Sequence, residues 1–90
     1  MFIEAMADAA VAQGLPRNKA YTFAAQAVLG SAKMVLETGM HPGTLKDMVC
    51  SPGGTTIDAV CELEKMGFRA SVESAMRICG EKSKKMTGGK

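Results

Sequence analysis

The chain has 90 residues, a net charge of +2, and a composition that is 47% apolar but only 4% aromatic. This length suffices for a single domain over residues 1–90, and so small a domain often needs a partner to be stable. Eleven basic residues against nine acidic ones exclude the dense basic stripe that nucleic-acid binding requires.

Three cysteines and one histidine limit the chemistry of the chain. Cys50, Cys61 and Cys79 are widely spaced, and they form no zinc-ligand pattern with His41, so we expect no metal site. An odd number of cysteines favours a reducing cytoplasm. Neither a signal peptide nor an apolar run near the ~20 residues of a membrane span is present, so we expect a cytoplasmic protein without membrane contact.

Two helices are predicted in the first half of the chain. Residues 1–13 are mostly apolar and end at Gly14. No capping residue precedes this helix, which suggests that the chain was cut from a longer protein, a native start with a frayed first turn being the alternative. The second helix is expected to begin with Pro16 at its first position and to run to Thr38, because Gly39 is a natural stop.

The second helix is apolar around nearly its whole circumference. A helix of this kind is buried on all sides, which 90 residues cannot provide. We therefore predict an intertwined dimer, in which a second copy of the chain covers the helix. Gly30 in its middle would permit a close helix crossing, or else it only weakens an ordinary helix by about 1 kcal/mol.

Three further helices are predicted over residues 44–50, 55–66 and 68–86, and no segment alternates with the period of a strand. The fold class is therefore all-α, with five helices. In the fourth helix we expect Ile57, Val60 and Cys61 to face inward. The basic residues near the C-terminus favour a solvated helix end; these residues are Lys82, Lys84, Lys85 and Lys90. Residues 87–90 are expected to form a frayed tail.

The turns before the fourth helix hold the candidate site. His41-Pro42-Gly43 favours a turn over a ligand contact, since His41 has no metal-ligand companion. Pro42 is expected to restart a helix after this turn. The segment from Ser51 to Ile57 (SPGGTTI) gathers small polar residues at a helix start. Thr55 or Thr56 is expected to cap that helix, in a variant of the capping box that ends at Asp58. Free N–H groups of its first turn suit an anion, although such a loop is also an ordinary connector and Asp58 opposes an anion.

Motifs along nearly the whole chain resemble the C-terminal domain of pyrroline-5-carboxylate reductases. In that family this domain is helical and interlocks with its mate in a homodimer, with dimers able to assemble into larger rings. The motifs that carry the resemblance are Gly14-Leu15-Pro16-Arg17, Gly30-Ser31-Ala32-Lys33-Met34, His41-Pro42-Gly43, Leu45-Lys46-Asp47, Ser51-Pro52-Gly53-Gly54-Thr55-Thr56-Ile57, Leu63-Glu64 and Gly67-Phe68-Arg69.

The resemblance implies an enzyme that reduces 1-pyrroline-5-carboxylate to L-proline with NADPH or NADH. Ser51 and the N–H groups of Gly54, Thr55 and Thr56 would hold the substrate carboxylate, with Gly53 in the same loop. The Thr56 hydroxyl would act catalytically beside the imine nitrogen. The family's N-terminal Rossmann domain binds the cofactor, and this sequence shows no strand followed by its glycine motif, so we expect no cofactor here and no activity from these residues alone.

Two other functions remain open on the sequence. The chain would act as a non-catalytic helical oligomerisation module if only the fold were retained. It would act as a small-anion binder if only the loop were functional.

Overall fold

A computed structural model describes residues 1–87, and every regular element within them is an α-helix. The elements are α1 (Phe2–Ala12), α2 (Arg17–Thr38), α3 (Pro42–Val49), α4 (Thr55–Lys65) and α5 (Phe68–Met86). The prediction of an all-α fold with five helices is confirmed. The residues group into two compact units, Met1–Lys46 and a second that begins at Asp47. A single domain over residues 1–90 stays a prediction.

The core of the first unit consists of alanines where α1 packs on α2. Ala7, Ala20 and Ala24 are the buried residues, with exposed fractions of 0%, 1% and 6%. Small side chains at a helix contact let the two axes approach closely. Half-buried apolar side chains surround this contact; they are Met6, Ala10, Val11 and Leu15.

An ion pair joins the beginning of α2 to α1. Arg17 Nη1 donates to Asp8 Oδ1 at 2.5 Å, and the guanidinium carbon lies 5.7 Å from the centre of the Tyr21 ring. The hydrogen bond to Asp8 is the main cause that raises the pKa of Arg17 above its ordinary value. Both side chains of the pair are exposed, so water screens their attraction and the pair chiefly orients the connection.

The ends of α2 are set by a proline and a glycine. Gly39 has a φ of +67° and donates its N–H to the Val35 carbonyl, which confirms the predicted stop. The predicted place of Pro16 inside the helix was wrong by one residue. With φ −58° and ψ 140°, Pro16 is extended and precedes the first helical residue, Arg17.

His41 forms the N-terminal cap of α3. Its Nδ1 accepts a hydrogen bond from the Gly43 N–H at 2.9 Å, which satisfies one of the free donors of the first turn. A Cβ at position 43 would lie 3.0 Å from that nitrogen, so the glycine makes room for the imidazole ring. With this cap, α3 begins at Pro42, the proline that was expected to restart a helix, two residues before the predicted apolar segment at 44. It ends at Val49, one residue before the predicted end at 50.

The second unit contains α4 and α5, which are joined at Gly67. This glycine has a φ of +78°, a left-handed conformation that favours a residue without a side chain. Arg69 Nε donates to Glu64 Oε1 at 2.8 Å across the junction. The last helix runs over Phe68–Met86, as predicted.

The inward face of α4 and the basic end of α5 were both predicted from the sequence. Ile57 and Val60 are half-buried, as their predicted inward orientation requires, whereas Cys61 is exposed and its predicted burial was wrong. Lys84 and Lys85 lie in the last turn of α5, where cations complement the helix dipole. Thr87 follows α5 directly, and the remainder of the predicted tail, with Lys90, lies outside the described residues.

The long helix α2 presents its apolar side chains outward. Phe23, Leu29, Met34 and Leu36 are each more than half exposed. A helix that exposes large apolar side chains on more than one side favours contact with a partner, since monomeric proteins rarely leave much apolar surface uncovered. No helix within residues 1–87 is both long enough and apolar enough to cross a bilayer.

Candidate functional site

The candidate site begins with a tight turn over residues 51–54. The Ser51 carbonyl accepts a hydrogen bond from the Gly54 N–H at 3.0 Å, and Gly53 has a φ of +69°. Proline at the second position and a positive φ only at the third define a type II turn. Gly53 is therefore required by backbone conformation, since residues with a Cβ rarely adopt it.

The turn leads directly into α4, and Gly54 is the residue that precedes its first turn. Gly54 is extended, with φ −82° and ψ 172°, and no side chain caps the helix. The prediction that Thr55 or Thr56 caps α4 was wrong, because both already lie inside the helix. The capping box ending at Asp58 is likewise not formed; the Asp58 N–H instead donates to the Gly54 carbonyl at 3.4 Å.

Three backbone donors are left at the start of α4. The N–H groups of Thr55, Thr56 and Ile57 precede the first hydrogen bond of the helix, so they have no partner within it. The Gly54 N–H, which the sequence assigned to a carboxylate, is already engaged by the Ser51 carbonyl in this structure. The Ile57 N–H was not among the donors predicted from the sequence. Once Gly54 is known to be the cap, Ile57 is the third residue of the helix and its N–H is free.

Three hydroxyl groups lie close in sequence to the start of α4, one in the preceding turn and two on the first residues of the helix. Ser51, Thr55 and Thr56 are exposed, and none of their hydroxyls makes a hydrogen bond within residues 1–87. The Ser51 hydroxyl lies beside Gly54, since its Oγ is 2.5 Å from the position that a Cβ there would occupy. The turn thus brings Ser51 next to the N-terminus of α4.

The electrostatics of the site favour a small anion held mainly by backbone groups. The N-terminus of an α-helix carries a partial positive charge, and its free N–H groups point toward a ligand. Asp58 is an acidic residue in the first turn of α4 and opposes this attraction. A carboxylate held by Thr55, Thr56 and Ile57 would therefore gain from directional hydrogen bonds more than from net charge.

Two kinds of site are relevant to cofactors among residues 1–87, a metal cluster and a dinucleotide motif. Within residues 1–87 no group of three or more His, Cys, Asp or Glu side chains is placed to hold a metal ion. A dinucleotide site needs a strand ahead of the glycine-rich turn, whereas here α3 precedes Ser51 and the described part of the chain contains only helices.

The comparison with protein families identifies this arrangement. A family model described as pyrroline-5-carboxylate reductase dimerisation matches residues 1–86. The chain belongs to this family. It is 74% identical over 87 residues to pyrroline-5-carboxylate reductase of Escherichia coli (strain K12), which covers 97% of the chain and 32% of that relative. The chain thus spans about a third of the length of such relatives.

Two solved structures share the fold. Pyrroline carboxylate reductase of Plasmodium falciparum, crystallised with NADP bound, superimposes with a TM-score of 0.90 at 38% identity over 99% of this chain and 33% of that one. The 1-pyrroline-5-carboxylate reductase of Streptococcus pyogenes superimposes with a TM-score of 0.89 at 43% identity, over 93% of this chain and 32% of that one. The five helices therefore form the all-α dimerisation domain of this family.

Proposed function

We propose that the chain is the dimerisation and substrate-binding part of a pyrroline-5-carboxylate reductase. The whole enzyme reduces 1-pyrroline-5-carboxylate to L-proline with NADPH or NADH, as a step of proline biosynthesis in the cytoplasm. The family match over residues 1–86 is the observation that carries this proposal. Cofactor binding belongs to another part of the enzyme, because the residues described here do not form a nucleotide site.

The substrate carboxylate binds at the start of α4. The N–H groups of Thr55 and Thr56 donate to its oxygens, with Ile57 as a third donor, and the Ser51 hydroxyl adds a fourth. Gly53 and Gly54 keep the turn free of side chains, so the ligand can approach the backbone closely. The free donors and extended cap of α4 support this assignment.

Thr56 supplies the one side chain that acts on the reacting bond. Addition of a hydride to the carbon of the C=N bond would move the π electron pair onto the nitrogen, which takes up a proton. The nitrogen therefore gains negative charge during the step and becomes a stronger hydrogen-bond acceptor. The Thr56 hydroxyl contacts this nitrogen while its own N–H holds the carboxylate. A contact that strengthens in the transition state raises kcat, whereas one that is constant lowers KM.

A second copy of the chain covers the exposed side of the first unit. A groove of about 350 Å³ lies between α1 and α2, next to the outward-facing apolar side chains of α2; its lining residues are Phe2, Met6, Ala27, Val28 and Ser31. We infer an intertwined homodimer and further assembly of dimers into rings. The same apolar surface favours a second candidate function, a non-catalytic oligomerisation module.

A chimeric enzyme distinguishes the two functions. Residues 1–86 of this chain would replace the matching segment of the Escherichia coli reductase, and oxidation of NADPH by 1-pyrroline-5-carboxylate would be followed by absorbance. We expect a dimeric, active chimera. A chimera that folds and dimerises without activity would contradict the enzymatic function and favour the oligomerisation module. The parent enzyme and the chimera carrying Thr56→Val serve as controls.

A further inference from the structure

The two adjacent glycines in the turn before α4, Gly53 and Gly54, are explained by different features of the structure. Gly53 has a φ of +69°, so its backbone conformation requires glycine. Gly54 has φ −82° and ψ 172°, an extended conformation that every residue with a Cβ adopts readily. Backbone conformation therefore does not explain the glycine at position 54, and the space around it must.

The space beside Gly54 is filled by Ser51. A Cβ at position 54 would lie 2.5 Å from the Ser51 Oγ, well inside van der Waals contact. It would also lie 3.2 Å from the Ser51 carbonyl oxygen and 3.7 Å from the Ser51 Cβ. Only the hydroxyl is in severe conflict with such a Cβ, and rotation about the Ser51 Cα–Cβ bond would relieve it.

We infer that Gly54 is a positioning residue for the Ser51 hydroxyl. Because position 54 lacks a Cβ, the hydroxyl can lie against Gly54, the residue that directly precedes α4. A larger residue at 54 turns the hydroxyl away while the turn and the helix remain. The inference rests on the proposed function, in which this end of α4 holds the substrate carboxylate.

In the proposed site the Ser51 hydroxyl adds a side-chain donor to the free backbone donors of α4. A helix start offers N–H groups along one direction, and Ser51 approaches from the preceding turn. Hydrogen bonds to a charged group correspond to roughly 10- to 150-fold in binding. Since the carboxylate keeps its charge throughout the reaction, loss of this contact should raise KM more than it lowers kcat.

A double-mutant cycle in a full-length reductase carrying this domain tests the inference. The variants are Ser51→Ala, Gly54→Ala and the pair together, with KM, kcat and the binding of L-proline as readouts. We expect Ser51→Ala and Gly54→Ala each to raise KM about tenfold or more, with smaller losses in kcat. When Ser51→Ala is already present, Gly54→Ala should add little, because no hydroxyl remains to be displaced.

The cycle also separates the hydroxyl from the other contacts of the new methyl group. The 3.2 Å approach to the Ser51 carbonyl oxygen occurs with and without Ser51→Ala, so its cost cancels. Gly53→Ala is the matched control: it strains the left-handed residue of the same turn, and its main effect should be a lower melting temperature. The melting temperature of Gly54→Ala should fall less than that of Gly53→Ala, since the extended backbone at position 54 accepts a Cβ and only the 3.2 Å approach to the Ser51 carbonyl oxygen is tight.

Each result has a distinct meaning. If Gly54→Ala raises KM equally with and without Ser51→Ala, the methyl group obstructs the ligand itself and the inference is wrong. It is also wrong if Ser51→Ala raises KM while Gly54→Ala leaves it unchanged. If Ser51→Ala changes neither KM nor L-proline binding, the hydroxyl does not contact the ligand and the inference is wrong, although the backbone donors of α4 would still bind the carboxylate. The proposed function itself fails only if the chimera carrying residues 1–86 folds and dimerises without activity, which distinguishes the two failures.

Discussion

Replacement of Thr56 by valine removes one hydroxyl from the start of α4 and changes little else. Thr56 is the second residue of the helix and is exposed, and its hydroxyl makes no hydrogen bond within residues 1–87. Because Gly54 precedes the helix, Thr56→Val removes no cap. Valine keeps the branched shape and has nearly the same helix propensity, so the melting temperature should be almost unchanged.

The expected cost appears in catalysis. A hydrogen bond to a group that gains charge contributes about 1.5–3 kcal/mol, which corresponds to roughly 10- to 150-fold in rate. The backbone N–H of Thr56 survives the substitution, so carboxylate binding is retained. We therefore expect a full-length reductase carrying Thr56→Val to lose kcat by this factor with a much smaller change in KM.

Steady-state kinetics together with thermal unfolding tests this reasoning. Thr55→Val is the matched control, because it removes the neighbouring exposed hydroxyl and keeps the N–H. It should reduce kcat far less than Thr56→Val does. If Thr56→Val keeps the full kcat/KM, the hydroxyl takes no part in the reaction and the loop is a backbone anion site or a connector.

Three further outcomes are expected. This chain should sediment at twice its mass at micromolar concentration, and a stable folded monomer would contradict the dimer. Gly30→Leu should destabilise the dimer by roughly 1–3 kcal/mol, since within residues 1–87 a Cβ at position 30 meets no atom closer than 4 Å outside its own stretch of helix backbone; an unchanged melting temperature would show that Gly30 is not at a helix crossing. The chain alone should not bind NADPH, because its described residues contain no dinucleotide-binding motif. It should therefore not turn over 1-pyrroline-5-carboxylate either, because holding the hydride donor against the substrate contributes about 7–11 kcal/mol to such a reaction; turnover by a preparation free of other reductases would refute this. His41→Ala should cost about 1 kcal/mol in thermal unfolding, whereas His41→Asn should retain the cap of α3; equal stability of both variants would show that the cap contributes nothing.

Local chemistry in the sequence was enough for the succession of helices. Gly39 and Gly67 adopt the left-handed conformation that ends or begins a helix, and only the residue type is needed to expect it. Apolar spacing then placed α5 correctly over Phe68–Met86. The candidate loop was also accessible from sequence, because small residues before a helix are a local pattern.

The sequence alone misplaced features that depend on competition between neighbouring residues. Thr55 and Thr56 are both good capping residues, but the turn from Ser51 makes Gly54 the extended residue before the helix. In the same way, the side chain of His41 starts α3 earlier than the apolar pattern suggested. In each case a hydrogen bond of the turn decides which residue comes first.

The sequence by itself determined the helical class, the breaks between helices and the family motifs, because propensity, glycine conformation and periodicity act over a few neighbouring residues. Only the tertiary structure decided that Ala7, Ala20 and Ala24 form the contact of α1 with α2, while larger apolar residues of α2 remain outside it. Burial and close approach depend on distances between residues that the chain brings together by folding, and no local pattern encodes those distances.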